Sequence, residues 1–466
     1  MKKLLIYCLA KILIFLQSFG KGGTSFPGKV ALRLKPDLLS DFKLPEESLL
    51  VTGTNGKTSV ANMVAGLGRA AGYRVCHNSE GANMAQGILT QLLKSANHKL
   101  EVQADLLVLE VDELTLVKLA SQLAPKAVLL TNLFDDQVDR YGDKMDLADK
   151  LAAAIPDQTC LLVNGDDPVL VYLAQKFSNC ALDRPGPVLG GNDELLSRSG
   201  KQSVSKPIYY GFAPVSLDED KRSNFTDISC PVCGQILKYS EQYYEGLGKF
   251  TCSCGFASPD LDFAAENISL DRSEFSLLGQ CYRFAHGQVY QAYNLLAALS
   301  YGSHLGLDRQ CMVQAVSCQP KLAGRFEHLP FGGREAWLNL VKNPAGLNQS
   351  LAFISDNLAL LPSDQKAELF IGFNRQPADG RDGSWISSGH YSLLLKPELS
   401  RIYLAGELAD DLEKVLLDQG FKQDCLVKVS DLKLALDTLV GSSTKPYFLS
   451  NFTYLSGLRE AILKMS

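Results

Sequence analysis

The sequence predicts an α/β chain made of two consecutive open-sheet domains, the first of which carries a small four-cysteine insertion. Three observations lead there. Apolar strand-like runs alternate with helical segments from Leu49 to about Leu170, the alternation resumes after Trp337, and two close pairs of cysteines stand between these stretches. At 466 residues there is length for two or three domains with buried cores.

Residues 1–20 are strongly hydrophobic, but Lys11 breaks the run, no small-x-small cleavage site follows, and the stretch is short for a bilayer span. A helix packed on the first domain is expected, with a helix lying on the membrane surface as the alternative. Strands are predicted at residues 49–51, 74–76, 106–110, 127–131 and 160–163, and a helix over 58–71. Residues 184–206, rich in Gly, Ser, Asp and Pro, read as a loop that leads to the insertion at 226–258. A second set of strands is predicted at 336–341, 368–373, 401–404 and 445–449, giving a Rossmann-like C-terminal domain. The division is 1–44, an N-terminal helical segment; 45–321, a nucleotide-binding domain; and 322–466, the C-terminal domain.

Composition narrows the function. With 46 basic and 51 acidic residues the net charge is −5, so there is no general electrostatic footprint for nucleic acid. Eight of the twelve cysteines are scattered singly, which suits a reducing cytoplasm rather than a disulfide framework.

The segment after the first strand carries the chemistry. Gly53, Thr54, Asn55, Gly56, Lys57 and Thr58 join a strand to a helix. Gly53 and Gly56 let backbone N–H groups approach phosphate oxygens, Lys57 supplies positive charge, and the Thr58 hydroxyl reaches Mg²⁺, so ATP is the expected ligand. The strand at 106–110 runs into Glu110, Asp112 and Glu113. A carboxylate at the tip of a strand beside a phosphate loop is placed to ligate the nucleotide's Mg²⁺, and Glu110 is the candidate, with the other two as supporting acids.

Cys230 and Cys233, then Cys252 and Cys254, are separated by eighteen residues. Two turns that each present two thiolates make a tetrahedral Zn²⁺ site, with Zn–S distances of about 2.3 Å. With all four positions filled by protein, the metal would be structural. The six histidines show no ligand spacing.

These motifs resemble known families. The general phosphate-loop pattern has a glycine where this chain has Val51, and the shorter Gly-Thr-Asn-Gly-Lys-Thr form resembles that of Mur ligases and folylpolyglutamate synthetases. Those enzymes activate a carboxylate with ATP and then form an amide. Gln137 stands where ordinary Mur ligases carry a metal-binding His, and Lys342-Asn343-Pro344 replaces their Asp-Tyr-Ala-His sequence. With the four-cysteine insertion and the Pro27-Gly28-Lys29 and Gly81-Ala82-Asn83-Met84 segments, the chain resembles the MurT family, the Mur-ligase-like subunits of lipid II isoglutaminyl synthase.

The resemblance implies Asn164 and Asp166 near the adenine, Asn294 and Arg325 near the nucleotide, and Lys342 over phosphate. It also implies Asp379 or Asp382 at the active site of a GatD-like glutaminase partner. No Cys/His amidotransferase domain is apparent, so ammonia would come from that partner. The implied reaction is amidation of the D-isoglutamate α-carboxylate of lipid II. An amino-acid ligase of the Mur or folylpolyglutamate type, or a nucleotide-responsive scaffold, are the alternatives. The chain departs from the family at Arg375-Gln376-Pro377, Ile386-Ser387-Ser388, Glu407 and Phe452, which suggests a divergent member.

Overall fold

The computed structural model describes residues 2–17, 25–79, 82–134, 143–183, 205–215, 227–284, 288–317, 324–376, 379 and 382–465. The described residues before 320 form one compact unit and those after it form a second.

The first unit opens with α1 (Lys2–Gln17) and α2 (Phe26–Leu34), followed by β1 (Glu47–Thr52), α3 (Lys57–Ala70), β2 (Val75–His77), α4 (Ala85–Ser95) and β3 (Leu106–Glu110). Then come α5 (Glu113–Leu123), β4 (Ala127–Leu130), α6 (Lys144–Ala154), β5 (Cys160–Asn164), α7 (Pro168–Asp183) and β6 (Ile208–Phe212). The hairpin β7 (Lys238–Tyr244) and β8 (Leu247–Thr251) precedes β9 (Phe263–Ser269), β10 (Glu274–Leu277), β11 (Gln280–Arg283), α8 (Val289–His304) and α9 (Arg309–Ser317).

The main sheet runs β11-β10-β9-β6-β5-β4-β1-β3-β2. It is parallel from β2 to β9 and antiparallel at the β9-β10-β11 edge. Its central strands are buried along their whole length, as expected where helices cover a parallel sheet, and α3 and α8 supply the facing apolar layer. The predicted strands before residue 170 are all present, with β2 one residue later than expected, because Arg74 is held at the strand entrance by Asp105.

α1 and α2 pack on each other and both pack on α4. At the α2–α4 contact a Cβ on Gly28 would collide with the Gln86 carbonyl oxygen, and the Gly28 N–H donates to Thr90 Oγ1 at 2.9 Å. The Pro-Gly-Lys segment is thus a close-approach point. Among the described residues no helix is long and apolar enough to cross a membrane.

The second unit contains β12 (Glu327–Phe331), β13 (Arg334–Leu340), α10 (Pro344–Ala359), β14 (Ala367–Gly372), β15 (Leu399–Ala405), α11 (Ala409–Asp418), β16 (Leu426–Lys428), α12 (Leu432–Gly441), β17 (Lys445–Ser450) and α13 (Phe452–Leu463). Its sheet order is β12-β13-β17-β14-β15-β16, parallel except for β12. Phe331, Phe370, Phe448 and Leu436 lie in the core of this unit, closed by Leu458 and Ile462 of α13.

Candidate functional site

The phosphate loop leaves β1 and enters α3 through two glycines with positive φ, Gly53 at 125° and Gly56 at 87°. A Cβ on Gly53 would collide with Thr131 Oγ1, and one on Gly56 with Asn294 Oδ1. The loop is therefore clasped from two sides, by the end of β4 and by α8.

The β4 side is made by Thr131 and Asn132, which follow that strand. Thr131 Oγ1 donates to the Asn55 carbonyl at 2.6 Å. Asn132 accepts the Thr54 N–H on its carbonyl and the Asn55 N–H on its side chain, each at 2.9 Å. Phe134 N–H donates to Thr54 Oγ1 at 3.0 Å. These bonds hold the loop against the end of β4. Gln137 and the neighbouring acids lie outside the described residues.

Lys57 is buried, donating to the Gly53 and Thr54 carbonyls and paired with Glu113 Oε1 at 3.1 Å. The Thr58 side chain, one residue on, is half-buried at the first turn of α3.

The three acids after β3 have separate environments. Glu110 is 3% exposed; its Oε1 accepts from Asn83 Nδ2 at 2.9 Å, whereas Oε2 has no hydrogen-bond partner in the protein. A buried carboxylate oxygen of this kind carries a desolvation cost that a cation would remove. Asp112 caps α5, accepting from the Thr115 N–H at 3.2 Å. Glu113 is committed to Lys57 on one oxygen. Glu113 Oε2 is also buried without a hydrogen-bond partner in the protein, so what sets Glu110 apart is its strand-tip position and, among the described residues, a carboxylate with no ion pair to Lys57.

The β5 end carries Asn164, Asp166 and Asp167. Asn164 Oδ1 accepts the Asp166 N–H at 3.0 Å, and its Nδ2 is buried without a hydrogen-bond partner in the protein. Asp166 is fully buried and accepts from Lys249 Nζ at 2.6 Å, Phe212 N–H at 2.7 Å and Tyr293 Oη at 2.8 Å. Burial pushes its carboxyl above the usual range, against the pull of Lys249. Asp167 caps α7 and accepts the Leu133 N–H at 2.9 Å; burial raises it to about 6. Tyr293 stacks on Phe212 with ring centroids 4.0 Å apart and precedes Asn294, so the Asp166 network sets the helix face that meets Gly56.

Lys249 belongs to the four-cysteine segment. Cys230 Sγ lies 3.7 Å from Cys254 Sγ, and Cys233 Sγ 3.5 Å from Cys252 Sγ, with all four sulfurs within 4.8 Å of one another. Four Zn–S bonds of about 2.3 Å in a tetrahedron put sulfurs roughly 3.8 Å apart, so the donor set fits a Zn²⁺ of that geometry. Gly234 and Gly255, both at positive φ, turn the chain behind each cysteine pair. The hairpin between the pairs reaches into the unit: Tyr244 packs edge-on to Phe134, Tyr243 lies against Phe212, and Gly248 N–H donates to the Asp166 carbonyl at 2.9 Å.

Arg325, Lys342, Asp379 and Asp382 belong to the second unit. Arg325 is half-buried between Gly324 and Phe326, and the neighbouring Glu327 is engaged by Arg459 at 2.7 Å. Lys342 is half-buried and precedes Asn343, whose side chain caps α10 by accepting from Gly346 N–H at 2.9 Å. Asp379 is 5% exposed and accepts the Thr453 N–H at 2.9 Å and the Thr453 hydroxyl, which ties it to the first turn of α13. Asp382 is exposed and accepts the Ser384 N–H at 2.8 Å, which holds its carboxyl below the usual range. Two departures from the family pattern meet here: Glu407 accepts from Arg375 N–H at 2.6 Å and from Gln376 Nε2 at 2.7 Å.

Comparison with known proteins agrees with this geometry. The Mur ligase middle domain family matches residues 51–183, and the MurT ligase C-terminal family matches residues 340–455. The lipid II isoglutaminyl synthase (glutamine-hydrolyzing) subunit MurT of Streptococcus pneumoniae is 31% identical over 96% of this chain and 94% of its own. The Staphylococcus aureus (strain COL) subunit of that name is 29% identical over 85% of this chain and 83% of its own. Among solved structures, a pseudomurein peptide ligase type C from Methanothermus fervidus superposes with a TM-score of 0.65 at 17% identity, covering 92% of this chain and 81% of its own. MurF from Acinetobacter baumannii gives 0.60 at 13% identity, covering 93% and 80%, so both share the fold. Matched over 96% of its length by a named subunit and in both halves by the corresponding family models, this chain belongs to the MurT family of Mur-ligase-like proteins.

Proposed function

We propose that the chain is the synthetase subunit of a lipid II isoglutaminyl synthase. It phosphorylates the α-carboxylate of D-isoglutamate in the stem peptide with ATP, releasing ADP, and ammonia then attacks the acyl carbon and displaces inorganic phosphate, giving D-isoglutamine. The reading is carried by one conjunction: the phosphate loop leaves β1 next to the tip of β3, where Glu110 Oε2 is buried without a hydrogen-bond partner in the protein, in a chain similar over 96% of its length to a subunit named for that activity.

The residues divide the work. N–H groups of Gly56, Lys57 and Thr58 donate to phosphate oxygens, and Lys57 offsets the charge of the terminal phosphates. Thr58 and Glu110 would hold Mg²⁺, which when bound neutralises phosphate charge. Asn164 and Asn294 position the nucleotide, and Asp166 acts on that site by fixing Tyr293. Arg325 and Lys342, in the second unit, are the cationic side chains that the family resemblance assigns to the nucleotide. Cys230, Cys233, Cys252 and Cys254 would hold Zn²⁺, a structural brace for the hairpin.

A free carboxylate is a poor acyl donor, so phosphorylation precedes attack. Ammonia must arrive unprotonated along a path shielded from water, which calls for a bound glutaminase of the GatD type. Asp379 and Asp382 are the carboxylates offered to that partner, the first held on Thr453 and the second exposed. The reaction takes place in the cytoplasm.

Reconstitution of the chain with its glutaminase, ATP, glutamine and lipid II tests the reading. Amidation lowers the lipid II mass by about 1 Da. A preparation that hydrolyses glutamine and binds ATP yet leaves that mass unchanged would overturn it.

A further inference from the structure

α1 is apolar on two sides, and the unit covers only one of them. Ile6 and Ala10 are buried where α1 meets α2 and α4, and Tyr7 Oη donates to the Ala96 carbonyl at 3.0 Å. The opposite face carries Leu5 at 72% exposure, Ile12 at 56%, Phe15 at 63% and Leu16 at 58%. Leu5, Leu9, Ile12 and Leu16 follow i, i+4, i+7, i+11 spacing, which makes a continuous outward stripe on an α-helix. A helix with two apolar faces, one of them uncovered, requires a second apolar surface.

Charge identifies that surface. In a chain of net charge −5, every charged residue before Asp37 is Lys or Arg. On the neighbouring α2, Lys29 and Arg33 are exposed. Lys3 and Lys35 pair with Asp41, and an apolar stripe beside the exposed Lys29 and Arg33 complements the headgroups and acyl boundary of an anionic bilayer. A second copy of this chain would instead bring cationic segments together.

We propose that the outward face of α1 docks on an anionic lipid surface. Sixteen residues span about 24 Å, less than a hydrocarbon core of about 30 Å, and the other face is already packed, so α1 lies in the plane of the interface. Docking at this face is separate from the amidation chemistry, and a water-soluble carboxylate substrate would report that chemistry without it.

The full chain is sedimented with vesicles of phosphatidylglycerol and, in parallel, of phosphatidylcholine. Binding to the anionic vesicles is expected, about tenfold stronger than to the neutral ones and weakened at about 0.5 M salt. The triple variant Leu5→Ser, Ile12→Ser, Leu16→Ser should lose about tenfold in partitioning with an unchanged thermal midpoint. The pair Lys29→Glu and Arg33→Glu should weaken anionic binding while leaving the stripe intact. Wild-type chain that stays in the supernatant overturns the proposal, as does a triple variant that pellets equally well. So does a wild-type dimer, seen by analytical ultracentrifugation without vesicles, that the triple variant dissociates.

Discussion

Lys249 Nζ lies 2.6 Å from Asp166 Oδ1, an ion pair whose acid is fully buried and whose partners stand 83 residues apart in the chain. It fastens the four-cysteine hairpin to the turn after β5, and through Tyr293 to the helix that closes on the phosphate loop.

Lys249→Met should destabilise the first unit by about 3–5 kcal/mol, because it leaves a carboxylate buried beside a single hydroxyl and a backbone N–H. Asp166→Asn in the same chain should recover part of that loss. Urea unfolding of both variants checks the order.

Zinc analysis should return about one equivalent per chain, and Cys233→Ser should lower it. Because the hairpin carries Lys249 and Tyr244, metal loss should weaken ATP binding by about tenfold or more. Calorimetric titration with a non-hydrolysable ATP analogue, before and after chelation, measures this; equal affinities would mean that the hairpin holds without metal.

Lys57→Ala and Glu110→Gln should each cut amidation by about 10²-fold or more, since both groups act on charge at the phosphates. Asp112→Ala should instead cost about 1 kcal/mol of stability through the lost α5 cap and spare most of the turnover. Paired turnover and unfolding assays separate the two classes.

The Asp167 carboxyl, raised by burial to about 6, holds its proton more tightly in the folded chain than in the unfolded one, where it titrates near 3.8. Its contribution to stability is therefore greatest at about pH 4, declines by up to about 1.4 kcal/mol per pH unit as pH rises to about 6, and is constant above. Asp167→Asn should remove that slope. Unfolding midpoints of the two proteins from about pH 4 to 7 give the comparison.

Asp379→Ala should cost about 1–2 kcal/mol by stripping the first turn of α13 of its cap, and Asp382→Asn should leave stability within about 0.5 kcal/mol. Reduced glutamine-dependent amidation in a stable Asp382→Asn chain would assign the exposed carboxylate to the partner surface.

Local chemistry made much of this legible in the sequence. The glycines of the phosphate loop, the acids at the β3 tip and the cysteine spacing each announce themselves within a few residues, because turn geometry and ligand spacing are local constraints. The clasp formed by Thr131 and Asn132 has no such signal, since its partner Asn55 is 76 residues away. Asp166 read as a nucleotide neighbour, and its pairing with Lys249 rests on tertiary packing alone. β6 and the antiparallel β9-β10-β11 edge were also hidden, their alternation masked by the loop and insertion around them. Asp379 and Asp382 could not be told apart in sequence; burial against Thr453 distinguishes them.

β6 and β9 run parallel as neighbours, so the chain must travel from the end of one strand back to the start of the other. In most open sheets a helix makes that return, whereas here the cysteine hairpin lies in the connection. The insertion is thus the bridge by which the sheet acquires its last three strands. Cutting it out and joining the ends with a tight turn would strand that edge, so any shortened version needs a replacement crossover of at least about a dozen residues.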